Sequence, residues 1–296
     1  MIRTDTCAPA TCGTDAAAGR RRLPLRRAAV GTGLLASTVL ALAACGPVRH
    51  ENLVLDSTFD GPAGAPPPAP WIAQLGGGGW GNDELQTYTD RPENVSLDGQ
   101  GHLRITARRE DFTGTDGIRR AYTSARLSTE TRFSFTYGRV EARIATPHGP
   151  GLWPAFWLLG DIAEQADWRT AGEIDVLEVF GTDPRRHATV HGFSDEPRGW
   201  SQTAATSDLI DLTRGFHTYT LTWEPGRVRV AVDGAALLDV DRSDLGAGRT
   251  WSVDKPLHLM LNLAVGGSQP GLPDDTTPLP AELLVDSVRV WQETSS

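Results

Sequence analysis

The sequence predicts an all-β protein, a sandwich or jelly roll of antiparallel sheets. Three observations carry that reading. Apolar and polar residues alternate with a period of two in several short runs. The chain is heavily punctuated, with 32 Gly and 20 Pro among 296 residues. No segment shows a long, capped 3.6-residue periodicity. With 39% hydrophobic and 22% charged residues the chain can bury a sizeable core, which excludes a collagen, a coiled coil or a disordered chain. A formal charge of −9 leaves no broad basic surface, so a nucleic-acid partner is not expected.

The first 44 residues differ from the rest. Arg3, Arg20, Arg21, Arg22, Arg26 and Arg27 stand against Asp5 and Asp15, and an uncharged run follows from Ala28 to Ala44. A basic region followed by an apolar one is the pattern of an export signal, here residues 1–44. Removing its net +4 leaves −13 on the remainder. The apolar run ends in Leu42-Ala43-Ala44-Cys45-Gly46, which resembles a bacterial lipobox with Cys45 as the lipidated residue. An ordinary cleavage site with a chance cysteine, or an uncleaved anchor, stays open beside it. Arg21-Arg22 suggests twin-arginine export, but Pro24 and the missing Ser or Thr weaken it. Cys7 and Cys12 lie in the leader, so the mature domain has no thiol pair and must rely on its own core or a metal. The expected location is outside the cytoplasm, lipid-anchored to the membrane or secreted.

Residues 45–52 read as a short tether, and the domain runs from 53 to 296. The Pro-rich stretch Gly61 to Pro70 follows too few mature residues to divide domains, so it reads as a surface loop. Beyond it, Leu103, Ile105 and Ala107 alternate with polar residues, as do Val140, Ala142 and Ile144, and Val228, Val230 and Val232. Each is a half-buried strand. Pro225-Gly226 and Asp233-Gly234 bracket the last of these as turns. No internal repeat or second domain boundary is visible.

The chemically informative segment is Gly172-Glu173-Ile174-Asp175-Val176-Leu177-Glu178-Val179-Phe180-Gly181, whose β-branched and aromatic content makes it a strand. Side chains alternate across a strand, so Glu173 and Asp175 share a face and Glu178, five residues from Glu173, should point the other way. One extra residue near Val176-Leu177, a β-bulge, would return Glu178 to that face. A row of like charges has little structural use, whereas a glycosidase needs one carboxylate as nucleophile and one carboxyl as acid. On spacing alone, an exposed strand face with Glu178 in solvent and a metal-binding acidic cluster stand beside the catalytic reading.

The segment resembles the E-x-D-x-x-E signature of family-16 glycoside hydrolases, in particular laminarinase-like endo-β-1,3-glucanases. The resemblance extends over about residues 53–292. It includes Gly79-Trp80-Gly81-Asn82-Asp83-Glu84-Leu85-Gln86, Tyr137-Gly138-Arg139-Val140-Glu141-Ala142-Arg143, Trp153-Pro154-Ala155-Phe156-Trp157, Leu261-Asn262-Leu263-Ala264-Val265-Gly266-Gly267 and Val285-Asp286-Ser287-Val288-Arg289-Val290. It implies a concanavalin A-like β-jelly roll of two curved antiparallel sheets with a substrate cleft on the concave face. It also implies retaining hydrolysis with Glu173 as nucleophile, Glu178 as acid and base, and Asp175 assisting. The partner implied is a β-glucan polysaccharide, and the enzyme is expected to be a monomer that requires no cofactor.

A glucan offers apolar C–H faces and a rim of hydroxyls, so its cleft needs flat aromatics beside polar groups. By position in the pattern the candidates are Trp153, Trp157 and Trp168, with Asn82, Glu84, Arg126, His191 and Asn262; a core role or a structural hydrogen bond competes for each. Trp71, Trp200, Trp223, Trp251 and Trp291 are left as core or unassigned. Two departures from the family pattern matter. Ser268-Gln269-Pro270-Gly271 stands where relatives commonly carry Asn-Trp-Pro-Gly, and Thr58 stands where an acid is usual. A structural calcium on Asp286 is therefore an expectation in doubt. Two other functions compete: a non-catalytic glucan-binding protein, which would usually have lost the glutamates, and a transglycosylase or galactanase on the same fold.

Overall fold

The computed structural model describes residues 51–160, 168–196, 199–206 and 214–294, all within the compact unit Val48–Ser296. The predicted leader, tether start and Cys45 lie outside the described residues. Strand pairing begins at Glu51, two residues ahead of the expected domain onset.

Two sheets face each other across one hydrophobic core. The larger runs, in spatial order, through Ala235–Asp241, Arg227–Val232, His217–Glu224, Gly138–Ala145, Ala281–Glu293, Leu103–Thr113, Arg119–Ser124 and Thr87–Tyr88. Glu51–Thr58 adds to the Ala281–Glu293 strand and Val95–Leu97 to the Leu103–Thr113 strand. The smaller sheet runs Trp200–Ala205, His187–Ser194, Glu173–Glu178, Leu152–Gly160, Leu257–Val265, Arg126–Ser128 and Ile72–Ala73, with Arg249–Thr250 on the His187–Ser194 strand. Among the described residues the pairs are antiparallel except for one short parallel pair, Thr87–Tyr88 with Arg119–Ser124. The fold is a jelly-roll sandwich, as the alternation predicts.

Parity decides which side chains close the core. Leu103, Ile105, Ala107, Val140, Ala142, Ile144, Val228 and Val230 all point inward from the larger sheet. Leu257, Leu259, Leu261, Leu263 and Val265, with Phe156 and Leu158, meet them from the smaller sheet. The turn at Asp233-Gly234 has φ of +49° and +80°, the twist that a two-residue hairpin needs and that few residue types tolerate. The loop from Gly61 to Pro70 is anchored at both ends by core residues, Phe59 and Trp71, so it is a surface excursion and not a linker.

The strand Glu173–Glu178 sits inside the smaller sheet between Leu152–Gly160 and His187–Ser194. Its register shows the expected bulge. Asp175 opposes Trp157 and Leu177 opposes Phe156, so Val176 is the extra residue. On the other side Asp175 opposes Thr189 while Glu178 opposes His187, three steps against two. Ile174, Val176 and Leu177 all enter the core, and Glu178 returns to the outer face with Glu173 and Asp175.

Deleting Val176 should force a carboxylate toward the core, because a one-residue slip inverts every side chain beyond it. Burying an unpaired carboxyl by at least ~3 kcal/mol corresponds to a melting temperature lower by roughly 6 to 12 °C. Thermal unfolding of the deletion variant checks this; a variant that melts with the parent would show that the bulge is not needed to keep Glu178 out of the core.

Candidate active site

The outer face of the smaller sheet carries the residues the core cannot take. Along Leu152–Gly160 these are Trp153, Ala155, Trp157 and Leu159; along Leu257–Val265 they include Asn262; along His187–Ser194 they include His187, Thr189 and His191. Register brings them together from distant parts of the chain. Glu173 lies opposite His191, Asp175 opposite Trp157, Glu178 opposite both Ala155 and His187, and Asn262 opposite both Ala155 and Arg126.

At the centre of this face, Asp175 is 3% exposed and Glu178 9%, while the Glu173 side chain keeps 24% of its surface. His191 bonds Asp175 (Nε2 to Oδ2, 2.9 Å) and stands 4.0 Å from Glu173 Oε1. Trp153 donates its indole N–H to Glu178 Oε1 at 3.0 Å. Burial and the neighbouring Asp175 charge push Glu173 up to about 8, against the pull of His191 and Arg126. Burial, Asp175 and Glu173 together push Glu178 well above the usual carboxylate range, with His191 and the Trp153 bond opposing. Burial works against the charge on His191, but the bond to Asp175 and the charges of Asp175, Glu173 and Glu178 raise it to about 9. The ligand-type atoms of Glu173, Asp175 and His191 all fall within 4.8 Å of one another, a spacing that a divalent ion would also accept. Through neutral pH the imidazolium already supplies a cation to this cluster.

Toward one side of the acids lies an aromatic and cationic group. The Arg126 guanidinium stands 4.7 Å from the ring centres of both Trp80 and Trp157. Its Nε donates to Gln74 Oε1 at 2.7 Å, and Gln74 in turn donates to Glu130. Trp157 donates to Asn262 Oδ1 at 2.8 Å. Trp80 rides on a glycine-rich loop in which Gly76, Gly78, Gly79 and Gly81 all have positive φ, and Trp80 itself sits at φ +48°. A bulky residue in that region is uncommon and is typical of functional loops. The Arg120 guanidinium packs over Gly77, where an added Cβ would lie 2.3 Å from it and displace that side chain.

Not every predicted contact residue presents itself to a ligand. Glu84 is buried, with Oε2 accepting from Gln86 at 2.7 Å and Tyr88 at 3.0 Å and Oε1 accepting from Asn82 at 3.4 Å. Its carboxylate supports the wall from behind. Asn82 is half-buried and partly occupied by that bond; Asn262 is buried, with its oxygen held by Trp157. Trp153 is buried and spends its N–H on Glu178, so it offers a sugar little ring face. Trp157, Arg126 and His191 are half-exposed on the cleft face. Trp168 opens the short helix Trp168–Ala171, and its side chain lies outside the described residues. Trp71, Trp200 and Trp223 are core residues, while Trp251 and Trp291 are half-buried. Sequence reasoning passed over Trp80 as a cleft residue although it lies inside a quoted motif. It also passed over Gln86 and Tyr88, which share the parity of Glu84.

Asp286 lies in the other sheet. Its Oδ1 is 3.3 Å from Arg143 Nη1 and 4.0 Å from His102 Nε2. Thr58 lies opposite its neighbour Ser287. A guanidinium beside the carboxylate and no second acid at Thr58 do not suit a hard cation, which seeks several oxygen donors.

Residues 82–278 match the model of the glycosyl hydrolases family 16. The chain belongs to this family. A β-glucanase of Rhodothermus marinus is 38% identical over 275 residues, spanning 88% of this chain and 94% of that protein. The catalytic domain of an endo-1,3-β-glucanase (laminarinase) from Thermotoga petrophila RKU-1 is 34% identical and superposes with a TM-score of 0.75, covering 84% of this chain and all of that one. An endo-β-1,3-glucanase from Pyrococcus furiosus is 38% identical with a TM-score of 0.75, covering 84% and 97%. As a family-16 member the chain is a glycoside hydrolase, and its acid row occupies the outer face of the smaller sheet.

The raised Glu173 links the site to stability. Between 4.5 and about 8 the folded state holds a proton there that the unfolded state has lost, so stability falls as pH rises through that window. Glu173→Gln, which mimics the protonated acid, should melt with the parent below pH 4.5 and several degrees above it at pH 8 and beyond. Scanning calorimetry of both proteins across pH reads the difference; equal melting temperatures throughout would contradict the upward shift.

Proposed function

We propose that the protein hydrolyses internal β-1,3-glucosidic bonds of a laminarin-type or mixed-linkage β-glucan with retention of anomeric configuration. The observation that carries this reading is the bulged strand, which sets three carboxyls on one face between two aromatic groups in a chain similar to β-glucanases.

The charge environment orders the two glutamates. Burial and the Asp175 charge raise both glutamates and His191 eases both, but Glu173 has the Arg126 guanidinium as well, which favours its ionised form. Glu178 has the Glu173 charge added to that of Asp175 and holds its proton more firmly, so Glu173 is the first of the two to ionise. Glu173 therefore attacks the anomeric carbon, while Glu178 gives its proton to the departing glycosidic oxygen. A glycosyl ester on Glu173 results, and Glu178, now a carboxylate, takes a proton from the water that resolves it. Asp175, fixed by His191, lies between the two and opposes loss of the Glu178 proton until the leaving oxygen needs it. The presence of both glutamates weighs against a binding-only protein.

Product analysis on linear β-1,3-glucan, mixed-linkage glucan and galactan, followed by NMR of the first-formed anomer, tests substrate and stereochemistry together. Retained β products from the β-1,3-containing glucans are expected; net inversion, or cleavage of galactan alone, would overturn the reading. Azide separates the roles. Glu173→Ala should yield an α-glycosyl azide, the anion replacing the nucleophile. Glu178→Ala should act on substrates with a good leaving group and yield the β-azide. The same anomer from both variants would refute the assignment.

The support for location is the order of basic leader, apolar run and lipobox in the sequence. On this reading the mature protein begins at Cys45, carries lipid there and works outside the cytoplasm. Cys45→Ser should release it from membranes, and mass measurement of the parent N-terminus should show the acyl chains. An unmodified parent, or a variant that stays membrane-bound, would remove the anchor from the account.

A further inference from the structure

The two aromatic groups flank the acid row on different sides. Trp157, Arg126 and Trp80 form the first, and the Arg126 charge acts on Glu173. The second surrounds Glu178 and joins Trp153, from one of the quoted motifs, to Phe180 and His187, which lie outside the E-x-D-x-x-E signature. Past Glu178 the chain stays paired with the Leu152–Gly160 strand, Val179 N–H donating to the Pro154 carbonyl and Gly181 N–H to the Leu152 carbonyl. Phe180 consequently lies opposite Trp153 and shares the outer face with Glu178. Its ring centre is 5.5 Å from Trp153 and 4.9 Å from His187, at interplanar angles of 56° and 55°. Both contacts are tilted, so among the described residues no ring lies flat against a face of Phe180. His187, opposite Glu178 in register, is itself held by Asp183 at 3.0 Å.

Phe180 is half-exposed, and it does not belong to the hydrophobic core or to the side chains packed on it, whereas its neighbour Val179 is fully buried. An aromatic ring left on a cleft face, braced by two other rings and unused by the core, is a platform for an apolar surface of similar size. Which surface follows from the chemistry. A general acid must touch the glycosidic oxygen, so the sugar that leaves with that oxygen lies beside Glu178, and the sugar that forms the ester lies beside Glu173.

Resting on the retaining-glucanase reading, we infer that Phe180, braced by Trp153 and His187, is the floor of the leaving-group subsite and holds the sugar that departs or arrives there. The same floor serves the second half of the reaction. When an acceptor sugar stacks on Phe180, its hydroxyl oxygen attacks the anomeric carbon. The ester bond to Glu173 breaks with its electron pair returning to that carboxylate, and the hydroxyl proton passes to the Glu178 carboxylate. Water completes the same step without needing the floor. Phe180 thus sets the division of the glycosyl-enzyme between transfer and hydrolysis.

The test uses a short β-1,3-glucan oligomer as donor and methyl β-glucoside as added acceptor, with transfer and hydrolysis products quantified as acceptor is raised. Phe180→Ala should need about tenfold more acceptor for the same transfer-to-hydrolysis ratio, the scale of a lost ring contact. Phe180→Trp should restore the ratio. Phe180→Leu, which keeps apolar bulk without a flat face, should behave as the Ala variant. Melting temperatures should stay close to the parent, because the ring is outside the core. An unchanged ratio in folded Phe180→Ala, a ratio restored by Leu, or no transfer product from the parent at any acceptor concentration would overturn the inference. A parent that cleaves no β-1,3-containing glucan would instead overturn the glucanase reading on which it rests.

Discussion

Everything at the acid row depends on one count: a strand shows alternate faces, and five steps from Glu173 to Glu178 is an odd number. Without an inserted residue the chain could not place both glutamates in the cleft and also keep Ile174 and Leu177 in the core. Val176 supplies the insertion, and it costs the sheet little because its own side chain joins the core. The bulge is held in a strand with partners on both sides, so the irregularity is framed by regular pairing. The spacing of the two glutamates is therefore a property of the backbone and does not depend on any loop.

That backbone brings like charges together, and the surroundings are arranged to make this bearable. Asp175 is matched by His191, Glu178 accepts from Trp153, and Arg126 lends charge from three strands away. The matching is incomplete, which leaves both glutamates holding protons more firmly than a free side chain would. A cluster fully neutralised by ion pairs would be more stable and would have no acid to donate.

Much of this was legible in the sequence because it rests on periodicity. Alternation around Ile105, Ala142 and Val230 identified strands and their inward faces, and the odd spacing of Glu178 called for the bulge near Val176-Leu177 that the register shows. Residue-by-residue contacts were less legible. Glu84 and Trp153 are polar or aromatic residues in the right motif, yet each turns its functional group to another protein side chain. The choice between facing a sugar and facing a neighbour depends on register between strands far apart in the chain, as with Arg126 beside Asn262. Phe180 was invisible for the opposite reason: one aromatic in a β-rich run reads as core, and only its absence from the packed interior marks it out.

The far sheet carries a consequence of another kind. Asp286 is answered by Arg143 and His102, side chains of the chain itself, and the three cysteines of the sequence all lie at or before Cys45. Among the described residues, apolar packing and internal ion pairs hold the sandwich together. The Arg143–Asp286 contact is exposed enough for dissolved salt to screen it, so the far sheet's electrostatic share of stability falls as ionic strength rises while the packed core keeps its own.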